Sequence, residues 1–319
     1  MRVLIWHVHG SWLTSFVAGP DEYLVPVLPG RGPDGRGRAR TWTWPASARE
    51  VTPERLREEG CDVVVLQRPD EIELLERWTG LRAGVDVPAV YVEHNAPPGP
   101  AAATRHPLAG RGDLPVVHVT AFNALMWDCG DAPTTVIEHG VPDPGYRYTG
   151  EDGRLGVVVN EPVRRWRVAG TDVLLRMAER VPVTVYGMGM AALAERAPAL
   201  AGHLHDDVPQ GAMHERLAHH RAYLHPYRWT SLGLSLVEAM SLGMPVLALA
   251  TTAAPESVPP GAGVVSADPD VLTAAARRWL DDPEEARERG RAARRHALDR
   301  FGLDRFLSDW QRLLKEVVP

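Results

Sequence analysis

The stretch 225–252, HPYRWTSLGLSLVEAMSLGMPVLALATT, constrains the fold of this chain more than any other. At helical period, Leu234, Leu236, Val237, Ala239, Met240 and Leu242 wrap apolar character around most of a circumference, the pattern of a helix buried between other elements. Glu238 stands alone in that run, and a carboxylate taken out of water costs several kcal/mol unless hydrogen-bond donors meet it. Ser231 and Gly233, just ahead, are small enough to leave the first backbone N–H groups of the helix open, and such a tip attracts anions, phosphates above all. Helical side chains lean toward the N-terminus, so Glu238 can reach back to whatever binds the tip. A diphosphate carrying a ribose diol would satisfy both features. A capping box, Ser235-x-x-Glu238, in which Glu238 serves only its own helix, accounts for the same residues. Gly243 and Pro245 then stop the helix, and residues 246–250 read as a short buried strand.

A chain of 319 residues with 45% hydrophobic content exceeds one typical domain and supplies two cores. The net charge of −6 argues against a nucleic-acid partner or a strongly basic membrane face. No run of eighteen apolar residues exists, and the first residues read as a strand entering a turn, so a cytoplasmic protein without a transmembrane segment is expected. Cys61 and Cys129 lie far apart without CxxC spacing, which suggests neither a disulfide framework nor a zinc site; no metal is expected. Lysine occurs once, at Lys315, so the abundance of arginine reads as coding bias and carries no functional weight by itself.

Along the chain, strands are expected over residues 3–8, 22–28, 62–66, 88–92 and 116–120, and helices over 53–59 and 121–129. Gly10 lies in the turn after the first strand, where open α/β sheets take ligands; His7 and His9 beside it fit ligand contacts or structural hydrogen bonds. Residues 29–40 hold four glycines and four arginines and read as a mobile, solvated loop, with an anionic acceptor as the other reading. Trp42 and Trp44 would share one face of an extended segment, as core or as a sugar-stacking surface. His94 falls just past the carboxyl end of a strand. Pro and Gly cluster over 140–153, a hinge between two strand–helix alternating halves. The second half is expected to carry strands over 155–159 and 183–186 and helices over 171–180, 272–280, 283–299 and 301–317. His214, His219 and His220 lack metal-ligand spacing and are expected to decorate a helix.

The run Thr230-Ser-Leu-Gly-Leu-Ser-Leu-Val-Glu238-Ala-Met, followed by Gly243-Met-Pro-Val, closely resembles the signature of the family-4 retaining glycosyltransferases of the GT-B fold. The resemblance implies an α/β architecture of two Rossmann-like domains facing a central cleft. It implies an acceptor domain at 1–145, a nucleotide-sugar donor domain at 146–300 and a terminal segment, 301–319, packing back on the first. It assigns Glu238 to the donor ribose, and Thr230, Ser231, Gly233 and Leu234 to the diphosphate and sugar. Thr230 stands where the family has the first Glu of its pair, and Leu232 where it has Phe. In the loop 160–170 the family carries Arg and Lys against the diphosphate; Ala169 occupies the Lys position, which makes Arg164 and Arg167, with Arg165, the candidates to replace that charge. His94 matches a catalytic-site histidine at the donor sugar, and Gly10 corresponds to one glycine of a pair near the donor phosphates. Residues 205–209 resemble the segment that meets the nucleotide base, and His139 replaces the Asn of an Asn-Gly-Val-Asp turn. The implied reaction moves a hexosyl group from a nucleoside-diphosphate sugar to an unidentified acceptor, a small molecule, glycan or lipid-linked sugar, with retention and with no cofactor. The alternatives are a nucleotide-sugar-binding protein with lost or altered turnover and a GT-B sugar-nucleotide epimerase.

Overall fold

The computed structural model describes residues 1–318, which form two compact units. One is Met1–Gly140 completed by the segment from Leu303 onward; the other is Val141–Gly302. Position 319, the end of the terminal segment expected from the sequence, lies outside the described residues.

The first unit is built on β1 (Arg2–Ile5), β2 (Glu22–Pro26), β3 (Ala48–Val51), β4 (Val63–Leu66), β5 (Ala89–Glu93), β6 (Val116–His118) and β7 (Thr134–Val136). They form one parallel sheet in the order β3-β2-β1-β4-β5-β6-β7, reversing direction at β1. The second unit has β8 (Asp152–Val158), β9 (Val183–Gly187), β10 (Leu204–Asp206), β11 (His220–His225), β12 (Val246–Leu249) and β13 (Gly263–Ser266), parallel in the order β10-β9-β8-β11-β12-β13. β4 and β12 are continuous Val, Leu and Ala runs and, like β5 (AVYVE), are buried throughout, as a sheet covered on each side by helices requires. Doubly wound sheets of this kind collect ligands at the carboxyl ends of their strands.

Several expected elements differ in extent or kind. The strand expected over 3–8 stops at Ile5, because the chain turns there: the Trp6 carbonyl accepts from Val8 N–H at 3.1 Å and from the Gln67 amide at 2.7 Å. β3 was hidden by its mixed sequence, AREV, in which Arg49 points out to Glu22 and Glu59. The three histidines expected on one helix separate. His214 lies on the helix Gln210–Leu217 and is buried, whereas His220 opens β11 and bonds the Tyr186 hydroxyl at 2.8 Å. Trp42 and Trp44 alternate with the exposed Thr41 and Thr43, and both pack on the helix Gly10–Phe16, as a shared face predicts. Trp44 is buried, donating to Thr14 Oγ1 at 2.9 Å, and Trp42 lies over Gly10.

The helix Leu303–Val317 belongs to the first unit. Its Phe306 and Trp310 enter an aromatic cluster with Trp12 and Phe16, ring centroids 5.1–6.3 Å apart in edge-on geometry. Each such fully buried side chain contributes roughly 1.5–3 kcal/mol of transfer free energy. Arg305 fixes the register by donating to the carbonyls of Glu138 and His139 at 3.0 and 2.6 Å.

Candidate functional site

In the first unit, β5 delivers His94 to the carboxyl edge of the sheet, where it is buried. Gln67, just past β4, donates its amide to the Trp6 carbonyl, so its Oε1 faces His94 Nε2 at 3.0 Å as an acceptor. That pairing assigns the His94 proton to Nε2. The His9 ring lies 4.1 Å from the His94 ring, and Trp12 meets it edge-on at 4.8 Å. Burial, followed by the neighbouring His9 and His139, drives the His94 pKa far below that of a free imidazole. Burial likewise lowers His9 to about 4 and His139 to about 3. The cluster is therefore a group of uncharged rings at neutral pH.

Gly10 opens the helix Gly10–Phe16 beside this cluster. A Cβ there would stand 2.6 Å from the Trp42 indole, so only glycine lets that ring close over the turn. Gln67 is itself positioned by Glu71, whose carboxylate accepts from Gln67 N–H at 2.7 Å and from Arg68. Burial raises the Glu71 pKa to about 7.

In the second unit the helix Leu234–Leu242 begins at Gly233 with no side chain capping it. The capping box does not form: Ser235 Oγ accepts from the Tyr223 hydroxyl at 2.9 Å instead. Glu238 is buried, and its two oxygens accept from Gln210 Nε2 at 2.8 Å and His214 Nε2 at 3.2 Å, both from the helix Gln210–Leu217. Gln210 was not singled out in the sequence and His214 was expected only to decorate a helix, because they lie 28 and 24 residues away and meet Glu238 only through the fold. At Gly233 a Cβ would strike the His225 ring at 2.5 Å. Ser231 is buried, while Thr230 and Leu234 are half-buried at the same end of the helix.

The arginines of the loop 160–170 have partners of their own. Arg164 lies 3.6 Å from Glu161 and Arg167 bonds Asp172 at 2.9 Å, each guanidinium side chain 71% exposed. Arg165 sits 5.5 Å over the Tyr227 ring, and Arg228 takes Asp172 bidentately. Ala169 is fully buried on the short helix Trp166–Ala169, so the position at which a Lys was expected faces the interior.

Comparison with known proteins bears on both units. A family model described as glycosyl transferases group 1 matches residues 202–296, a span that contains Gln210, His214, the Thr230–Leu234 turn and Glu238. Among solved structures the chain is similar to sucrose-phosphate synthase from Thermosynechococcus elongatus, with a TM-score of 0.71 at 15% identity, covering 99% of this chain and 98% of that one. The fold is GT-B. A second solved relative, Anabaena HepE in complex with UDP and glucose, covers 99% of this chain and all of its own, with a TM-score of 0.70 at 15% identity. At the level of sequence, an MMP α-(1→4)-mannosyltransferase from Mycolicibacterium hassiacum is 36% identical over 97 residues. That match takes in 29% of this chain and 22% of the mannosyltransferase. Among the described residues no helix is long and apolar enough to cross a membrane, and no group of three or more His, Cys, Asp or Glu could hold a metal ion.

Proposed function

We propose that this protein transfers a hexosyl group from a nucleoside-diphosphate sugar to an acceptor with retention of configuration, as a family-4 enzyme of the GT-B fold. The observation that carries the reading is Glu238: a buried carboxylate, one turn inside an uncapped helix, within the stretch that matches glycosyl transferases group 1. Gln210 and His214 each supply it one hydrogen bond. A carboxylate accepts about four, so lone pairs are left for the two hydroxyls of a ribose. The diphosphate would lie at the N-terminus formed by Gly233 and Leu234, with Thr230 and Ser231 beside it, where backbone N–H groups and the helix dipole favour negative charge. Arg164 and Arg167, both exposed, would add charge by leaving Glu161 and Asp172, an exchange that costs little because such surface pairs are worth about 0–1 kcal/mol and Asp172 keeps Arg228. Stabilising the departing diphosphate would supply much of the rate.

His94 would act on the transferred sugar as an uncharged polar group, and Gly10 would admit the donor to the turn after β1. A neutral imidazole held this far below its ordinary pKa orients and polarises but does not serve as a cation at neutral pH. The reading requires no cofactor, and the free thiols of Cys61 and Cys129 suit a reducing cytoplasmic setting.

Thr230 and the buried Ala169, each in place of a family functional residue, favour a second reading in which the donor is bound and turnover is lost or altered. Incubating the protein with nucleotide sugars in the absence of acceptor separates the possibilities. Slow release of nucleoside diphosphate supports the transferase, binding without any release supports the binding protein, and appearance of an epimeric sugar identifies the epimerase.

A further inference from the structure

The loop between β2 and β3, expected to be solvated from its composition, keeps several exposed residues but is tied down by hydrogen bonds. Leu28 N–H bonds the Gly35 carbonyl and Gly37 N–H bonds the Pro26 carbonyl, both at 2.9 Å, and Val27 and Arg36 form an antiparallel bridge. Glu50 on β3 takes Arg31 bidentately at 2.8 and 3.0 Å and also the Arg38 N–H at 2.9 Å. His7, beyond β1, donates from Nδ1 to the Gly37 carbonyl at 2.9 Å. Arg31 is held at φ 45°, a left-handed conformation that a non-glycine residue keeps only when its surroundings enforce it. The loop is thus pinned at both ends and in its middle.

What it presents is a cavity of about 490 Å³ lined by His7, Arg31, Arg36, Arg38 and Arg40. Glu50 neutralises Arg31, and it is the one carboxylate bonded to these four guanidiniums among the described residues. Arg38 is oriented by the Trp44 and Pro45 carbonyls, which carry no charge. Arg36 and Arg40 are exposed, with no ion-pair partner among the described residues. The field of Arg36 reaches His7 and His9 and adds to the lowering of both pKa values. A prearranged loop that gathers Arg36, Arg38 and Arg40, none bonded through its guanidinium to a carboxylate among the described residues, around one cavity incurs like-charge repulsion that a bound anion relieves. A single carboxylate would match one fork; a phosphate dianion offsets two of the three charges and offers one acceptor oxygen to each guanidinium.

We propose that this cavity binds a phosphate-bearing group and thereby selects a phosphorylated acceptor. Binding of the phosphate stands on the cavity alone; its use as an acceptor rests on the glycosyl-transfer reading. The test titrates the full chain with inorganic phosphate, with glucose 6-phosphate and with glucose by calorimetry, alongside nucleoside diphosphate as a separate ligand. The titrations are repeated on the double variant Arg36→Ala, Arg40→Ala, whose side chains are exposed and make no ion pair among the described residues. Phosphatidylcholine vesicles with and without phosphatidic acid distinguish a lipid-borne phosphate from a soluble one. The expected result is binding of glucose 6-phosphate but not glucose, or of the phosphatidic acid vesicles alone, weakened at least about tenfold in the double variant and partly restored by Arg36→Lys, Arg40→Lys. Nucleoside diphosphate affinity stays unchanged throughout. Phosphate affinity that is absent in the wild type, or equal in wild type and double variant, overturns the proposal. Phosphate binding that depends on Arg36 and Arg40 in a protein that fails to bind any nucleoside diphosphate would leave the cavity standing and remove the glycosyl-transfer reading.

Discussion

At the carboxyl end of its sheet the first domain gathers His9, His94 and His139 and keeps them uncharged, whereas the second sets a buried carboxylate, Glu238, between an amide and an imidazole. Their arginine loops differ in the opposite sense. In the second domain Arg164 and Arg167 have carboxylates at hand; in the first, Arg36 and Arg40 have none among the described residues. Two doubly wound sheets of the same architecture thus put opposite charge requirements at equivalent ends. The difference teaches that cation count says little about anion binding until the carboxylates that fold against those cations are known. From the sequence the arginines of residues 29–40 read as solvated and those of 160–170 as diphosphate ligands; the pairing in the structure points the other way for the exposed charges.

The sharpest way to break the comparison is at His94. Under the proposed function His94→Ala lowers turnover by about 10²-fold or more while donor affinity stays within about twofold, because a group acting on the reacting sugar gains its value in the transition state. Steady-state rates and calorimetry on the same preparation decide it; a mutant with wild-type turnover reduces His94 to a packing residue. Adding a chelator should leave the wild-type rate intact, and a rate abolished by chelation would overturn the metal-free mechanism.

Glu238→Ala comes next. It should weaken nucleoside diphosphate binding by about 1–3 kcal/mol, the range for hydrogen bonds to a charged group, with a smaller loss for His214→Ala, which only orients the carboxylate. Unchanged affinity in folded Glu238→Ala protein would leave the second domain without its proposed donor site.

Arg164→Ala combined with Arg167→Ala sharpens the contrast between the loops. Since both guanidiniums are exposed and already paired, the expected loss is about 1 kcal/mol, and it should fall on nucleoside diphosphate while sparing the free nucleoside. Equal losses for both ligands would mean that the loop was disturbed instead.

Acid separates the domains more gently. His9 and His118 are lowered to about 4 and His139 to about 3 in the first domain, with His225 lowered to about 3 in the second, burial being the leading cause in each. A free histidine titrates near 6.5, so below that pH the unfolded chain takes up protons that the folded rings refuse. Their stabilising contribution is complete above about pH 6.5 and is lost as pH falls toward the folded values of 4 and 3. Hydrogen exchange followed from pH 7 downward should show β1, β5 and β6 losing protection before β11 and β12. Simultaneous loss in both sheets would assign acid sensitivity to carboxylates shared by the two domains.

Much of this arrangement was legible beforehand. The helix Leu234–Leu242 could be read because an all-round apolar surface with one acid is rare and has few physical outcomes. Helix Pro53–Glu59 was legible with its bounds, and the structure starts it with Thr52 as the cap and Pro53 in its first turn. What stayed hidden depends on contacts distant in sequence. Gln210 and His214 carry no local sign that they will meet Glu238. β3 sets two adjacent charges, Arg49 and Glu50, between Ala48 and Val51, so its propensity is weak until β2 pairs with it. The glycines of residues 29–40 read as freedom, yet Glu50 and His7, outside the segment, pin them.

The position of the helix Leu303–Val317 has a consequence for synthesis. Val141 N–H bonds the Phe301 carbonyl at 2.9 Å and Val141 bridges Gly302, so the second domain enters and leaves at one point, as an insert does. All of its strands have left the ribosome before Trp310 appears. The first domain, begun earliest, still lacks Phe306 and Trp310 against Trp12 and Phe16 at that moment. Domains that fold as they emerge would here finish in reverse order, the later one first, leaving the apolar faces of Trp12 and Phe16 for chaperones to shield until the last helix arrives.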